Sequence, residues 1–99
     1  MNDYKILICY SGGQAFIGRA IGKEEGIMVL EEPRIIIQQR NDKGSPSIDF
    51  ELIAGLPQEV TFLQVEAVGI PDKLIANWYI EEISESSLAT ANPINQLAS

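Results

Sequence analysis

Hydrophobic and polar positions first alternate with a period of two. Ile6, Ile8 and Tyr10, entered from Tyr4, interleave with Lys5, Leu7 and Cys9. This predicts a strand with one well-buried face and a second that is partly apolar. Ser11, Gly12 and Gly13 form a turn. Ala15 to Gly22 follows as a second strand, with Phe16, Gly18, Ala20 and Gly22 on one face. Small residues along one face permit sharp bending or close approach of another backbone, as in the curved strand of a small barrel. Lys23 to Gly26 makes a second tight turn, and Ile27 to Leu30 opens a third strand that is apolar on both faces and so buried on both.

Pro33 cannot donate to a ladder and predicts a bulge, an edge position or a break before strand resumes at Arg34 to Gln39. Asn41 to Pro46 is the most loop-like stretch. Ile48, Phe50 and Leu52 alternate with Asp49 and Glu51 as a half-buried strand. After the turn at residues 55 to 57, Val60 to Gln64 and Val65 to Ile70 read as two short strands. Pro71 and Asp72 mark a helix start with Asp72 as the cap, and the helical pattern runs to about Ser84. Leu74, Ile75, Trp78, Tyr79 and Ile83 gather on one helix face, and Lys73, Asn77, Glu81 and Glu85 on the other. Packing on the sheet is expected, because an acidic polar face does not suit an anionic membrane. Glu81, Glu82 and Glu85 oppose the helix dipole, which predicts fraying at that end unless something docks there.

Charge sharpens the division along the chain. Of the net −7 over 99 residues, residues 1–43 hold six bases against six acids, and residues 44–99 hold only Lys73 against eight acids. Phosphate-backbone binding depends on Lys and Arg, so the acidic balance works against nucleic acid and confines any such site to the first half. With no histidine and one cysteine, Cys9, in an apolar run, the commonest general base, zinc ligand and nucleophile pairings are missing. The adjacent pairs Glu24/Glu25, Glu31/Glu32 and Glu81/Glu82 read as solvated edges and turns. Ser11 to Gln14 lacks the lysine and following helix of a phosphate loop. No enzyme, cofactor or metal is expected. The opening residues show no basic leader and the sequence no apolar span, so a cytoplasmic protein is the expectation. The organisation expected is one domain over 1–84 and a tail over 85–99, uncharged from Ser86 onward.

The short first strand, the glycine turn, the bent strand with Phe16 and Gly18, and the third strand GlyIleMetValLeu together resemble the first signature motif of the Sm and Sm-like (LSm) proteins. Glu32, Pro33, Ile35 and Ile36, then Pro71, Leu74 and, one residue late, Tyr79, look closest to a divergent branch carried by tailed phages, including cyanophages. The resemblance covers about residues 4 to 84. It implies a mainly β fold: a small, strongly bent, five-stranded antiparallel Sm-like (SH3-like) barrel with a C-terminal helix. It also implies a homo-oligomeric ring, with Val60, Phe62 and Val68 near the seam, and, for a phage-borne chain, the host cytoplasm.

RNA binding is implied too, but the sequence departs from the family where RNA is read. Lys23 to Gly26 lacks the asparagine, and Gln64 to Glu66 lacks the arginine–glycine pair. Lys23, Arg34, Arg40 and Lys43 are the candidates for phosphate contact, against the blander reading of ordinary solvated charges. The rival expectation is a protein-interaction or assembly module without nucleic acid. A third is an unrelated, monomeric SH3-like barrel.

Overall fold

The computed structural model describes residues 5–40 and 42–84, apart from the side chain of Lys23. The expected tail over 85–99 and the approach from Tyr4 lie outside the described residues. Six strands run in the order β1 (Lys5–Ser11), β2 (Gln14–Glu24), β3 (Ile27–Arg40), β4 (Pro46–Glu51), β5 (Glu59–Phe62) and β6 (Ala67–Gly69), followed by a helix, α1, over residues 73–84. All ladders are antiparallel. The sheet order is β4-β3-β2-β1-β6, with β5 paired to β3. No ladder joins β5 to β6 among the described residues, so the sheet is not closed.

Six strands replace the five expected, because the bent chain after β3 is divided into separate pieces. β1 and β2 form a hairpin with Ser11 opposite Gln14. Its two loop residues, Gly12 and Gly13, both have positive φ (60° and 79°), the backbone that matches the right-handed twist of paired strands. Pro33 does not end β3. The register between β2 and β3 slips there, from Ile17↔Arg34 to Arg19↔Glu31, so that Glu32 and Pro33 bulge and Glu32 takes a φ of 54°.

The resulting bend divides the work of β3. Before it, Met28 to Glu31 pair with β5; beyond it, Ile35 to Arg40 pair with β4. Several groups hold the bend. The Glu32 N–H donates to the Gln58 carbonyl at 2.8 Å, and Arg19 Nη2 meets Glu31 Oε1 at 2.9 Å.

Alternation along the strands makes two apolar layers. On one face, Cys9, Met28, Leu30 and Phe62 form the core, joined by Leu7, Phe16, Ala20, Val60 and Val65, with the Phe16 and Phe62 rings 4.8 Å apart. Gly18 is required here: a Cβ at this position would lie 2.9 Å from Leu30 Cβ and 3.0 Å from the Glu31 carbonyl.

On the opposite face, Ile17, Pro33 and Arg34 are buried, as is Tyr79 of α1. Tyr79 meets the edge of the Phe50 ring at 6.2 Å. Its hydroxyl donates to the Glu32 carbonyl at 2.6 Å, with the Glu31 carbonyl at 3.3 Å. Asp72 caps α1 as expected, its Oδ1 accepting from the Leu74 N–H at 3.3 Å. The buried seam of the helix is narrower than its apolar pattern suggests: Ile75, Tyr79 and Ile83, four residues apart, face inward, whereas Leu74 and Trp78 stand at the margin, exposed. A helix resting on a sheet buries one narrow row, and residues about 100° round from it reach solvent. No helix among the described residues is long and apolar enough to cross a membrane.

Candidate functional site

The four cations put forward for phosphate contact are not brought together. Lys23 pairs through its backbone with Met28 at the start of β3, while Arg40 ends that strand. Arg40 donates from Nη1 to the Gly44 carbonyl at 3.2 Å, and Lys43 lies exposed in the same turn, so these two share a loop. Arg34 is 5% exposed and lies in the layer under α1. Its Nη1 donates to the Pro33 carbonyl at 3.0 Å, and its Nε stands 3.8 Å from Glu82 Oε2. That distance makes an ion pair but not a hydrogen bond. Arg34 therefore tethers the helix to the bend of β3 instead of presenting a charge to solvent. Arg19, which clasps Glu31, performs a related task. Sequence inspection could not find it, because the partnership depends on a bulged register.

The seam residues are also separated. Phe62 belongs to the core and Val60 packs against it, leaving Val68 exposed among the three. What the strands offer outward is backbone: among the described residues, β5 has β3 as its only ladder neighbour and β6 has only β1. Leu63, directly after β5, is 72% exposed, and Ile70, directly after β6, is 86% exposed. Period-two alternation from buried Phe62 was the signal that Leu63 faces out.

A third exposed edge belongs to β4, the outermost strand beyond β3. Between it and α1 runs an open groove of about 420 Å³, lined by Ile48, Asp49, Phe50, Glu51, Trp78, Glu81 and Glu82. Four consecutive β4 residues line it, although neighbours on a strand point to opposite faces. The groove therefore follows the strand's edge and not one of its faces. A second, larger cleft of about 550 Å³ has aliphatic walls from Ile8, Ile36, Ile48 and Ile75, with Tyr10, Gln14 and Gln38 as its polar side chains.

Two ionisable groups are displaced by burial. Burial pushes the Cys9 thiol up, which keeps it protonated and unreactive at neutral pH. Tyr79 is raised far above its ordinary range, first by burial, against the opposing pull of Arg19 and Arg34. Its hydroxyl thus remains a donor to the bend across the physiological range. Among the described residues, no group of three or more His, Cys, Asp or Glu side chains could hold a metal ion.

The class that these features define is a mainly β protein that has, among the described residues, a six-stranded, open antiparallel sheet, one C-terminal helix and several unpaired strand edges. No protein-family model, curated protein or solved structure matches the chain.

Proposed function

We propose that the chain is a non-enzymatic assembly module of Sm-like architecture that forms a homo-oligomeric ring through the edges of β5 and β6. The observation that carries this reading is the pair of edges, bordered by Leu63 and Ile70, that have no ladder partner among the described residues. An open edge beside exposed apolar side chains is an aggregation liability unless another chain covers it. The two edges differ, since β5 ends the ladder through β3 and β6 ends it through β1. Pairing β5 of one copy with β6 of the next is therefore a head-to-tail contact, which closes a ring when the rotation per subunit permits. Val68 lies on β6 at this seam, and Val60 and Phe62 hold β5 on the core so that its backbone is presented in register.

RNA binding has less support. Arg34 is engaged with Glu82, and only Arg40 and Lys43 share a loop. Sedimentation velocity at micromolar concentration tests the assembly. Discrete oligomers are expected, and Leu63→Glu with Ile70→Glu should shift them to monomer without loss of the far-UV CD spectrum. A wild-type monomer overturns the reading. An anisotropy titration with oligo-U and oligo-A at low salt forms the second arm: no binding is expected, and saturable, salt-dependent binding would return RNA to the leading place.

A further inference from the structure

The geometry points to the β4 edge as a docking site for an extended, basic segment of a partner protein, which adds as a strand beside β4 and lays alternate side chains into the groove under α1. On an antiparallel edge, every second residue directs its N–H and C=O outward, a ready template for strand addition. The groove of about 420 Å³ runs along that edge. Its far wall is Trp78, 41% exposed although apolar and the only tryptophan in the chain.

Register fixes what the added strand must carry. Asp49 and Glu51 lie opposite Ile37 and Ile35 and so share one face of the sheet, whereas Ile48 and Phe50 lie opposite Gln38 and Ile36 on the face covered by α1. A strand alternating Lys or Arg with apolar residues places its cations beside Asp49 and Glu51 and its apolar side chains toward Phe50 and Trp78. Glu81 adds a carboxylate at the rim.

Asp49, Glu51 and Glu81 have no ion pair among the described residues, so an incoming cation displaces no internal partner. The same charges select the occupant. A second copy meeting this edge would set Asp49 and Glu51 against their like, which is unfavourable across a strand pair. The chain's own residues 86–99 carry no charge with which to answer them. This docking site is independent of ring assembly, which uses the edges of β5 and β6.

Trp78, as the only tryptophan, reports occupancy directly. The probe is a blocked peptide of alternating Lys and Val, as long as the six-residue β4. Three controls accompany it: the same peptide N-methylated at alternate amides, a Glu/Val peptide, and spermine. The expected result is a saturable shift of Trp78 emission with the Lys/Val peptide alone. Its affinity should fall by about tenfold or more in Asp49→Lys and Glu51→Lys, both exposed positions, and on raising salt from low to molar concentration.

No saturable shift, equal binding of the N-methylated peptide or of spermine, or undiminished binding by both charge-reversal variants overturns the proposal. So does an emission shift that depends on protein concentration alone, which would assign the edge to a second copy. If a charge-reversal variant loses its far-UV CD spectrum, the N-methylated peptide on the wild-type protein decides.

Discussion

Replacing Tyr79 with Phe should weaken the fold far more than its single missing oxygen suggests. Tyr79 is fully buried, and its one hydroxyl proton goes chiefly to the Glu32 carbonyl at 2.6 Å, at the residue whose φ of 54° makes the bend of β3. Phe keeps the ring and its contact with Phe50 but strips that carbonyl, on a partly buried residue, of this donor. Leaving a buried polar group unsatisfied costs about 1–3 kcal/mol. For a domain whose total stability is on the order of 5–15 kcal/mol, that is a large share.

Urea unfolding followed by far-UV CD and by Trp78 emission would show a lower midpoint with an unchanged slope, because the area exposed on unfolding is the same. The pH dependence is the sharper test. The folded-state value of Tyr79 is raised above its ordinary value near 10, so above that pH the unfolded chain releases a proton that the folded chain retains. The contribution of Tyr79 is fully present below about pH 10 and declines above it, by up to about 1.4 kcal/mol per pH unit. The advantage of wild type over Tyr79→Phe should therefore be constant from pH 7 to 9 and shrink between 10 and 11. Equal midpoints for the two proteins at neutral pH, or a difference that does not change through pH 11, would refute the role assigned to this hydroxyl.

Three other substitutions probe the bend and the helix packed against it. Gly18→Ala puts a methyl group 2.9 Å from Leu30 Cβ and 3.0 Å from the Glu31 carbonyl; strand separation should cost about 1–3 kcal/mol in urea unfolding, and a change within experimental error would mean that β2 can yield. At the Arg34–Glu82 pair, Arg34→Met should be close to neutral, because it removes a buried charge and keeps most of the volume. Glu82→Gln leaves the guanidinium buried and should destabilise more, though by less than the ~3–5 kcal/mol of fully buried pairs, since Glu82 is partly exposed. The reverse order in thermal or urea melts would contradict the cost assigned to a buried guanidinium left without Glu82.

How far the chain could be read in advance follows from which interactions are local. The hairpin turn at Gly12 and Gly13, the β1 and β2 alternation and the Asp72 cap are settled within a few residues of one another, and each was legible. Apolar periodicity groups Leu74 and Trp78 with the buried helix face, because it does not reveal how wide a strip the sheet will cover. The cations were grouped by sequence half, but charge alone cannot show that Arg34 turns inward to Glu82 while Arg40 turns back on its own loop.

By itself, then, the sequence determined a mainly β chain with a capped C-terminal helix, tight glycine turns and an acidic second half, because backbone propensity, turn geometry and charge are properties of short segments. Only the tertiary structure decided that Pro33 bends one continuous strand instead of ending it, that Tyr79 and Arg34 hold the bend from the helix side, and that three strand edges stay open among the described residues, beside exposed Leu63, Ile70 and Trp78. Those outcomes depend on register between strands far apart in the chain, where one slipped pair changes which side chains share a face.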